Sequence, residues 1–178
     1  MKKSLKRPAL MAALVGIIVA CTEGGKLALA TLPNIEVVTL FTALFSYVFG
    51  WLGVLSAFIF VIVETLIWGF GSWVIAYFIY WPLVGAVFLF LRRLGIKNRI
   101  PITAAALLLT VFFGFLTSLA EIGLFSGFWD NFWTRFWIYY LRGTMFYAVH
   151  IASNAVLFPL LFPFLSGKLE KIKDGILR

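Results

Sequence analysis

Three glutamates of this sequence lie in apolar surroundings, where an unpaired carboxylate is costly. Glu23 precedes Lys26 by three residues, so the two side chains can form an ion pair on one helical face. Glu64 and Glu121 stand within long apolar segments, where a carboxylate either takes up a proton or finds a cation. Arg142 is the expected partner of one of them, and contact with a ligand is the alternative role. These residues predict internal ion pairs or a polar binding site within an apolar protein.

Aromatic rings are interleaved with polar side chains in two parts of the sequence. The stretch 123–135 reads GLFSGFWDNFWTR and is followed closely by Trp137, Tyr139 and Tyr140. A second group lies near the middle of the chain and comprises Trp68, Trp73, Tyr77, Tyr80 and Trp81. Such rings are typical of the belt that membrane proteins place at the lipid–water interface. The alternative is a pair of walls around a flat ligand, with polar contacts from Asp130, Asn131 and Arg135.

His150 and Asn154 are four residues apart, so they share one face of a helix, and Arg142 lies two turns earlier near that face. This pair has two possible roles: it can form hydrogen bonds to another helix, or it can contact a ligand. The sequence has one histidine and contains no H-E-x-x-H motif, no G-x-S-x-G motif and no phosphate-binding glycine loop. We therefore expect no enzymatic activity, no cofactor and no metal site.

The elements that must position these side chains follow from the composition. Of 178 residues, 63% are hydrophobic and 12% are charged, which is too few polar groups to cover a soluble protein of this size. The apolar runs are continuous, which favours helices of about 20 residues that cross a bilayer over the alternating strands of a barrel. The sequence predicts one integral membrane domain over residues 1–178, an all-α bundle of six transmembrane helices. The predicted spans are 9–30, 35–50, 51–70, 74–91, 102–122 and 136–165.

Basic residues cluster before the first predicted span, after the fourth and after the sixth. An even span count places all three clusters on one side, which the positive-inside rule identifies as the cytoplasm, together with both termini. Because the basic residues sit at helix ends, the net charge of +8 does not indicate a nucleic-acid partner. The opposite, outer ends of the spans carry Glu23, Glu36, Glu64, Glu121 and Asp130. The outer half of the bundle is therefore predicted to be polar inside.

These groups converge on the outer half from separate spans and predict one outward-facing ligand pocket. Glu36, Glu64, Trp133, Arg142 and His150 are its expected core. The full set of expected substrate-binding residues is Asn34, Glu36, Glu64, Trp68, Tyr77, Glu121, Trp133, Arg135, Tyr140, Arg142, His150 and Asn154.

Small residues recur four apart in the first predicted span, at Ala9 and Ala13, with Ala12 and Gly16 beside them. Small-x-x-x-small spacing lets a second helix approach closely. The pattern predicts either packing within the bundle or a docking face for another subunit.

Taken together, these features resemble the substrate-binding S components of energy-coupling factor (ECF) vitamin transporters. The resemblance spans the whole chain and rests on its size, six-helix layout and cytoplasmic termini. It also rests on Ala-Leu-Met-Ala-Ala at 9–13, LPNIEVVTL at 32–40 and HIASNAVLF at 150–158. The resemblance implies a bacterial cell-membrane protein whose Ala9 and Ala13 contact the transmembrane coupling subunit, while two ATPase subunits supply energy.

The resemblance also implies that the ligand is a vitamin. A cobalamin-type corrinoid is the leading candidate, because the sequence is similar to members assigned to it, and another vitamin or a nucleobase-like precursor is the alternative. Two other functions stay open at this point. One is a membrane assembly protein whose outer charges pair internally, and the other is a small proton-coupled carrier that uses Glu64 or Glu121.

Overall fold

The apolar segments of the chain fold into α-helices, as their continuous hydrophobic pattern predicts. The computed structural model describes residues 8–32, 34–126 and 129–176, so the basic residues of 1–7 lie outside the described part. The helices are α1 (Pro8–Ala28), α2 (Val38–Phe49), α3 (Trp51–Trp68), α4 (Trp73–Arg93), α5 (Arg99–Ala120), α6 (Phe132–Arg142) and α7 (Thr144–Ile176). A π-helical turn, Glu121–Phe125, extends α5.

The helix lengths are compatible with a multi-pass membrane bundle. Among the described residues, five helices are long and apolar enough to cross a membrane: α1, α3, α4, α7 and α5 with its π-helical turn. The helix α2 is apolar but has only 12 residues, about 18 Å, which is short of a hydrocarbon core of about 30 Å. The all-helical prediction is confirmed. Of the six predicted spans, 35–50 contains the short helix α2, and each of the other five overlaps one helix long enough to cross a membrane.

The predicted sixth span, 136–165, is not a single helix. The chain breaks at Gly143, so α6 and α7 are separate, and α7 runs for 33 residues through Pro159 and Pro163. Glycine has low helix propensity, and a Cβ at Gly143 would lie 2.6 Å from the ring of Tyr147. The close approach of this ring explains why glycine marks the junction.

The helices α2 and α3 form the tight hairpin that the glycines at 50 and 53 indicate. Gly50 connects them with a φ of 69°, a backbone conformation that favours glycine. One turn later, Gly53 packs directly on the backbone of Ser46, and a Cβ there would clash with it. The hairpin therefore depends on the missing side chain at residue 53.

The end of the bundle that carries the basic residues is closed by side-chain contacts. Arg92 in α4 forms an ion pair of 2.8 Å with Glu170 in α7. Lys173 donates a hydrogen bond of 2.6 Å to the carbonyl of Val48, near the C-terminus of α2, where a cation is favourable. The Tyr47 hydroxyl donates to the carbonyl of Ile96 at 2.7 Å. These contacts show that the C-termini of α2, α4 and α7 lie at one end.

We expect Gly53→Ala to destabilise the protein by about 1–3 kcal/mol, because the new methyl group would force α2 and α3 apart. Gly16→Ala is the matched control, since a Cβ at that helical glycine meets no atom within 4 Å. Unfolding in mixed detergent micelles, followed by circular dichroism, measures both. Equal stability of the two variants would contradict the close packing of the hairpin.

Candidate functional site

A cavity of about 330 Å³ lies at the end of the bundle opposite the Arg92–Glu170 ion pair and Lys173. Its walls come from the end of α1 and the segment after it, the start of α2, the end of α3 and the first half of α4. Thr110 and Phe113 of α5 and Phe146 and His150 of α7 complete the enclosure. Because successive helices alternate in direction, residues far apart in sequence meet here.

Glu36 is held at the cavity wall by two hydrogen bonds. Its Oε2 accepts from the backbone N–H of Thr39 at 2.9 Å, so it binds a free amide at the start of α2, whose helix dipole favours a negative charge. Its Oε1 accepts from Nδ2 of Asn154 at 3.1 Å. Asn154 is fully buried and also donates to Oγ1 of Thr110 at 3.0 Å. The amide of Asn154 thereby joins α2, α5 and α7.

Lys26 forms an ion pair with Glu64 across the α1–α3 interface. The Glu64 side chain is 2% exposed, and the Lys26 ammonium also lies 5.2 Å from the centre of the Trp68 ring. Glu23, predicted to pair with Lys26, is instead buried beside Glu64. Glu64 is the more deeply buried of the two carboxylates, at 2% exposed against 8% for Glu23, and a more deeply buried charge gains more from a paired cation.

Aromatic rings form most of the remaining wall. Tyr80 and Phe113 lie 4.8 Å apart between ring centres, and Tyr77 meets Trp81 edge to face at 5.6 Å. His150 stacks nearly parallel to Phe113, at 6.2 Å and 4°. Trp81 is 5% exposed, and its indole N–H has no hydrogen-bond partner among the described residues. A buried donor without a partner in a cavity wall is available to a ligand acceptor.

The structure brings together more than half of the predicted binding residues. Those lining the cavity are Asn34, Glu36, Trp68, Tyr77 and His150. Glu64 and Asn154 do not line the cavity but contact residues that do. Glu64 pairs with Lys26, and Asn154 donates hydrogen bonds to Glu36 and Thr110. The binding residues predicted from the sequence do not include Lys26, for which the sequence predicts only a pair with Glu23, nor Thr39, Thr110 and Phe113. Those last three are ordinary helix residues that carried no signal.

The other predicted residues lie elsewhere, so the expected single pocket is divided. Glu121 begins the π-helical turn, Arg135 donates to the carbonyl of Ser126 at 3.0 Å, and Tyr140 packs on Phe136 and Tyr147. Trp133 lines a separate surface depression with Trp129 and Asn131. Arg142 lines a second cavity of about 430 Å³, which adjoins the first because Tyr77, Phe113 and Phe146 line both. The helical break at Gly143 separates the side chains of α6 from those of α7, which lines the cavity.

The comparison with known proteins was negative at every level. No protein-family model, no curated protein and no solved structure matches this chain. The volume, polar groups and position of the cavity are therefore the basis for assigning a function.

We expect Lys26→Met to destabilise the protein by about 3 kcal/mol, because it leaves the buried Glu64 carboxylate without a cation. The double variant Lys26→Met/Glu64→Met should recover most of that loss. Glu170→Gln is the control, since the Arg92–Glu170 pair is more than a third exposed and should contribute at most about 1 kcal/mol. Denaturation in mixed micelles measures all three. A double variant less stable than Lys26→Met would contradict the pairing.

Proposed function

We propose that the chain is the membrane-embedded substrate-binding subunit, or S component, of an energy-coupling factor importer. The observation that carries the proposal is the cavity, which combines an aromatic wall with fixed polar groups at one end of an apolar bundle. Small-molecule sites are typically concave, mostly apolar and provided with a few directed polar groups. In this wall, hydrogen bonds hold the Glu36 carboxylate in place, while the Trp81 indole N–H is still without a partner among the described residues. A ligand can therefore bind to polar groups that are already oriented.

The chemistry of the cavity supports binding rather than catalysis. The hydroxyl of Thr110 donates to the carbonyl of Ala106 and accepts from Asn154, so it is fully engaged and poorly placed as a nucleophile. His150 lies between the rings of Phe113 and Phe146, at 6.2 and 4.2 Å, and forms no hydrogen bond to a hydroxyl among the described residues. A nucleophile–base pair, which covalent catalysis requires, is therefore not assembled in the described part of the cavity.

The cavity volume favours a small ligand. Pockets for drug-sized molecules measure about 300–1,000 Å³, and this cavity, at about 330 Å³, lies at the lower limit. A ring system of vitamin or nucleobase size fits such a space. A corrinoid, with its macrocycle and nucleotide loop, is several times larger. The volume therefore favours the smaller vitamin or nucleobase-like ligand over cobalamin.

The charge distribution supports an outward-facing cavity. The basic residues of the described chain concentrate at the other end, where Arg92, Lys173 and their neighbours lie. By the positive-inside rule, that end faces the cytoplasm of the cell and carries both termini. In this orientation the cavity receives its ligand from outside a bacterial plasma membrane.

The helix α1 offers a docking face for a partner. Ala9, Ala12, Ala13 and Gly16 are all exposed on it, whereas Leu14 and Val15 point into the bundle. Small residues on an uncovered helical face let the backbone of another helix approach. In the proposed complex this face contacts the transmembrane coupling subunit, and two ATPase subunits provide the energy that this chain, without an ATP-binding motif, does not.

We expect the purified protein to bind a vitamin or nucleobase-like molecule, identified by mass spectrometry of what it retains and quantified by calorimetric titration. Trp81→Phe should weaken binding about 5- to 150-fold, because it removes the unpartnered indole N–H. Trp133→Phe, the same change outside the cavity, should leave affinity unchanged. If no compound of a panel that includes cobalamin binds the wild type, the S-component proposal fails and an assembly role is favoured.

We expect Ala13→Trp to abolish uptake in cells while the purified variant binds its ligand normally, because the bulky ring blocks the docking face and lies far from the cavity. Ile17→Trp on the same exposed helix side controls for the added ring, since residue 17 is already large. Uptake that survives Ala13→Trp with normal membrane insertion would contradict docking at this face.

A further inference from the structure

Glu36 is the one charged group in the wall of the cavity that lacks a counter-charge among the described residues. Lys26, the other charged wall residue, is already paired with Glu64. Within the described chain, no Lys or Arg lies within ion-pair distance of the Glu36 carboxylate, and His150 lines the same cavity without pairing with it. With the formal charges of Lys26 and Glu64 cancelling, the Glu36 carboxyl is the remaining acidic group of the cavity wall among the described residues.

The two hydrogen bonds of Glu36 leave room for a ligand. A carboxylate has about four acceptor positions, and the amides of Thr39 and Asn154 occupy one on each oxygen. Both donors are themselves fixed, because Thr39 is buried in the first turn of α2 and Asn154 is held between helices. The carboxylate is therefore oriented before a ligand arrives, and its remaining positions accept further N–H donors.

The rings around the cavity favour the same ligand charge. Tyr77, Tyr80, Trp81 and Phe113 line the cavity. The faces of aromatic rings attract cations, and aromatic enclosures are a recurring means of recognising organic cations. Among the described residues that line this cavity, no unpaired lysine or arginine is available to an anionic ligand. Its natural partner, Lys26, is engaged by Glu64 and lies over Trp68, so an anion would have to displace Glu64 and also approach Glu36.

We propose that the ligand of this cavity is a small planar organic cation, which places a charged N–H group against Glu36 and its ring among the aromatic side chains. The Trp81 indole N–H then serves an acceptor atom elsewhere on the ligand. This inference rests on the proposed function and narrows it from vitamin-sized molecules to those that are positively charged when bound.

Three probes of nearly equal shape test the charge directly: benzamidinium, benzamide and benzoate, which carry +1, 0 and −1. Ligands of this size bind weakly, so titration followed by ligand-observed NMR should extend to about 10 mM, in an uncharged detergent. The wild type should bind benzamidinium about 10- to 100-fold more tightly than benzamide, with benzoate weakest. Glu36→Gln should remove this preference, whereas Glu121→Gln, outside the cavity, should preserve it.

The pattern of binding distinguishes failure of the cation proposal from failure of the proposed function. Equal binding of benzamidinium and benzamide, or preference for benzoate, overturns the cation while leaving a small-molecule site in place. Binding of none of the three contradicts the aromatic cavity as a ligand site and so counts against both proposals. Should Glu36→Gln fail to fold, the ranking of the three probes on the wild type is sufficient, because it requires no variant.

Discussion

The buried side-chain amide of Asn154 links α7 to α5 and to the start of α2 through its nitrogen, whereas its oxygen has no hydrogen-bond partner among the described residues. Its Nδ2 donates to Glu36 before α2 and to Thr110 in α5, while the residue itself belongs to α7. In surroundings without water, an unpaired amide costs free energy comparable to a lost hydrogen bond or more. The positions of α2, α5 and α7 around the cavity therefore depend on these two bonds. The same bonds orient the Glu36 carboxylate.

The polar groups at the two ends of the bundle differ in how completely they are paired. At the basic end, Arg92, Glu170 and Lys173 contact partners directly and close the space between α2, α4 and α7. At the other end, the Lys26–Glu64 pair links α1 to α3, but Glu36 keeps acceptor positions free and Trp81 keeps an unused donor. Satisfied polar groups stabilise a fold, whereas oriented but incompletely satisfied ones are what a ligand can complete. This difference locates the candidate site at one end.

The short helix α6 carries aromatic residues that the sequence predicts near the pocket, but the break at Gly143 separates it from α7. Phe132 and Phe136 of α6 are buried, while Trp133 and Trp137 on the same helix are more than half exposed. Such an amphipathic segment is typical of a helix that lies at a membrane interface. For its rings the sequence favours an interfacial belt, with one wall of the pocket as the alternative, and their exposure on α6 is what such a belt requires. The second wall, at Tyr77, Tyr80 and Trp81, does line the cavity.

Composition and periodicity determined that this chain is all-helical, apolar and compatible with a multi-pass membrane protein, because a helix satisfies the backbone hydrogen bonds of a long, continuous apolar segment within the segment itself. Alternating helix direction also made it predictable that Glu36, Trp68, Tyr77 and His150 lie at one end. Tertiary structure alone decided which charges pair. The predicted i, i+3 pair of Glu23 and Lys26 is a local contact, whereas Lys26 pairs with Glu64, 38 residues away. That choice depends on how α1 packs against α3, and burial of Glu64 at that interface is invisible in either segment by itself.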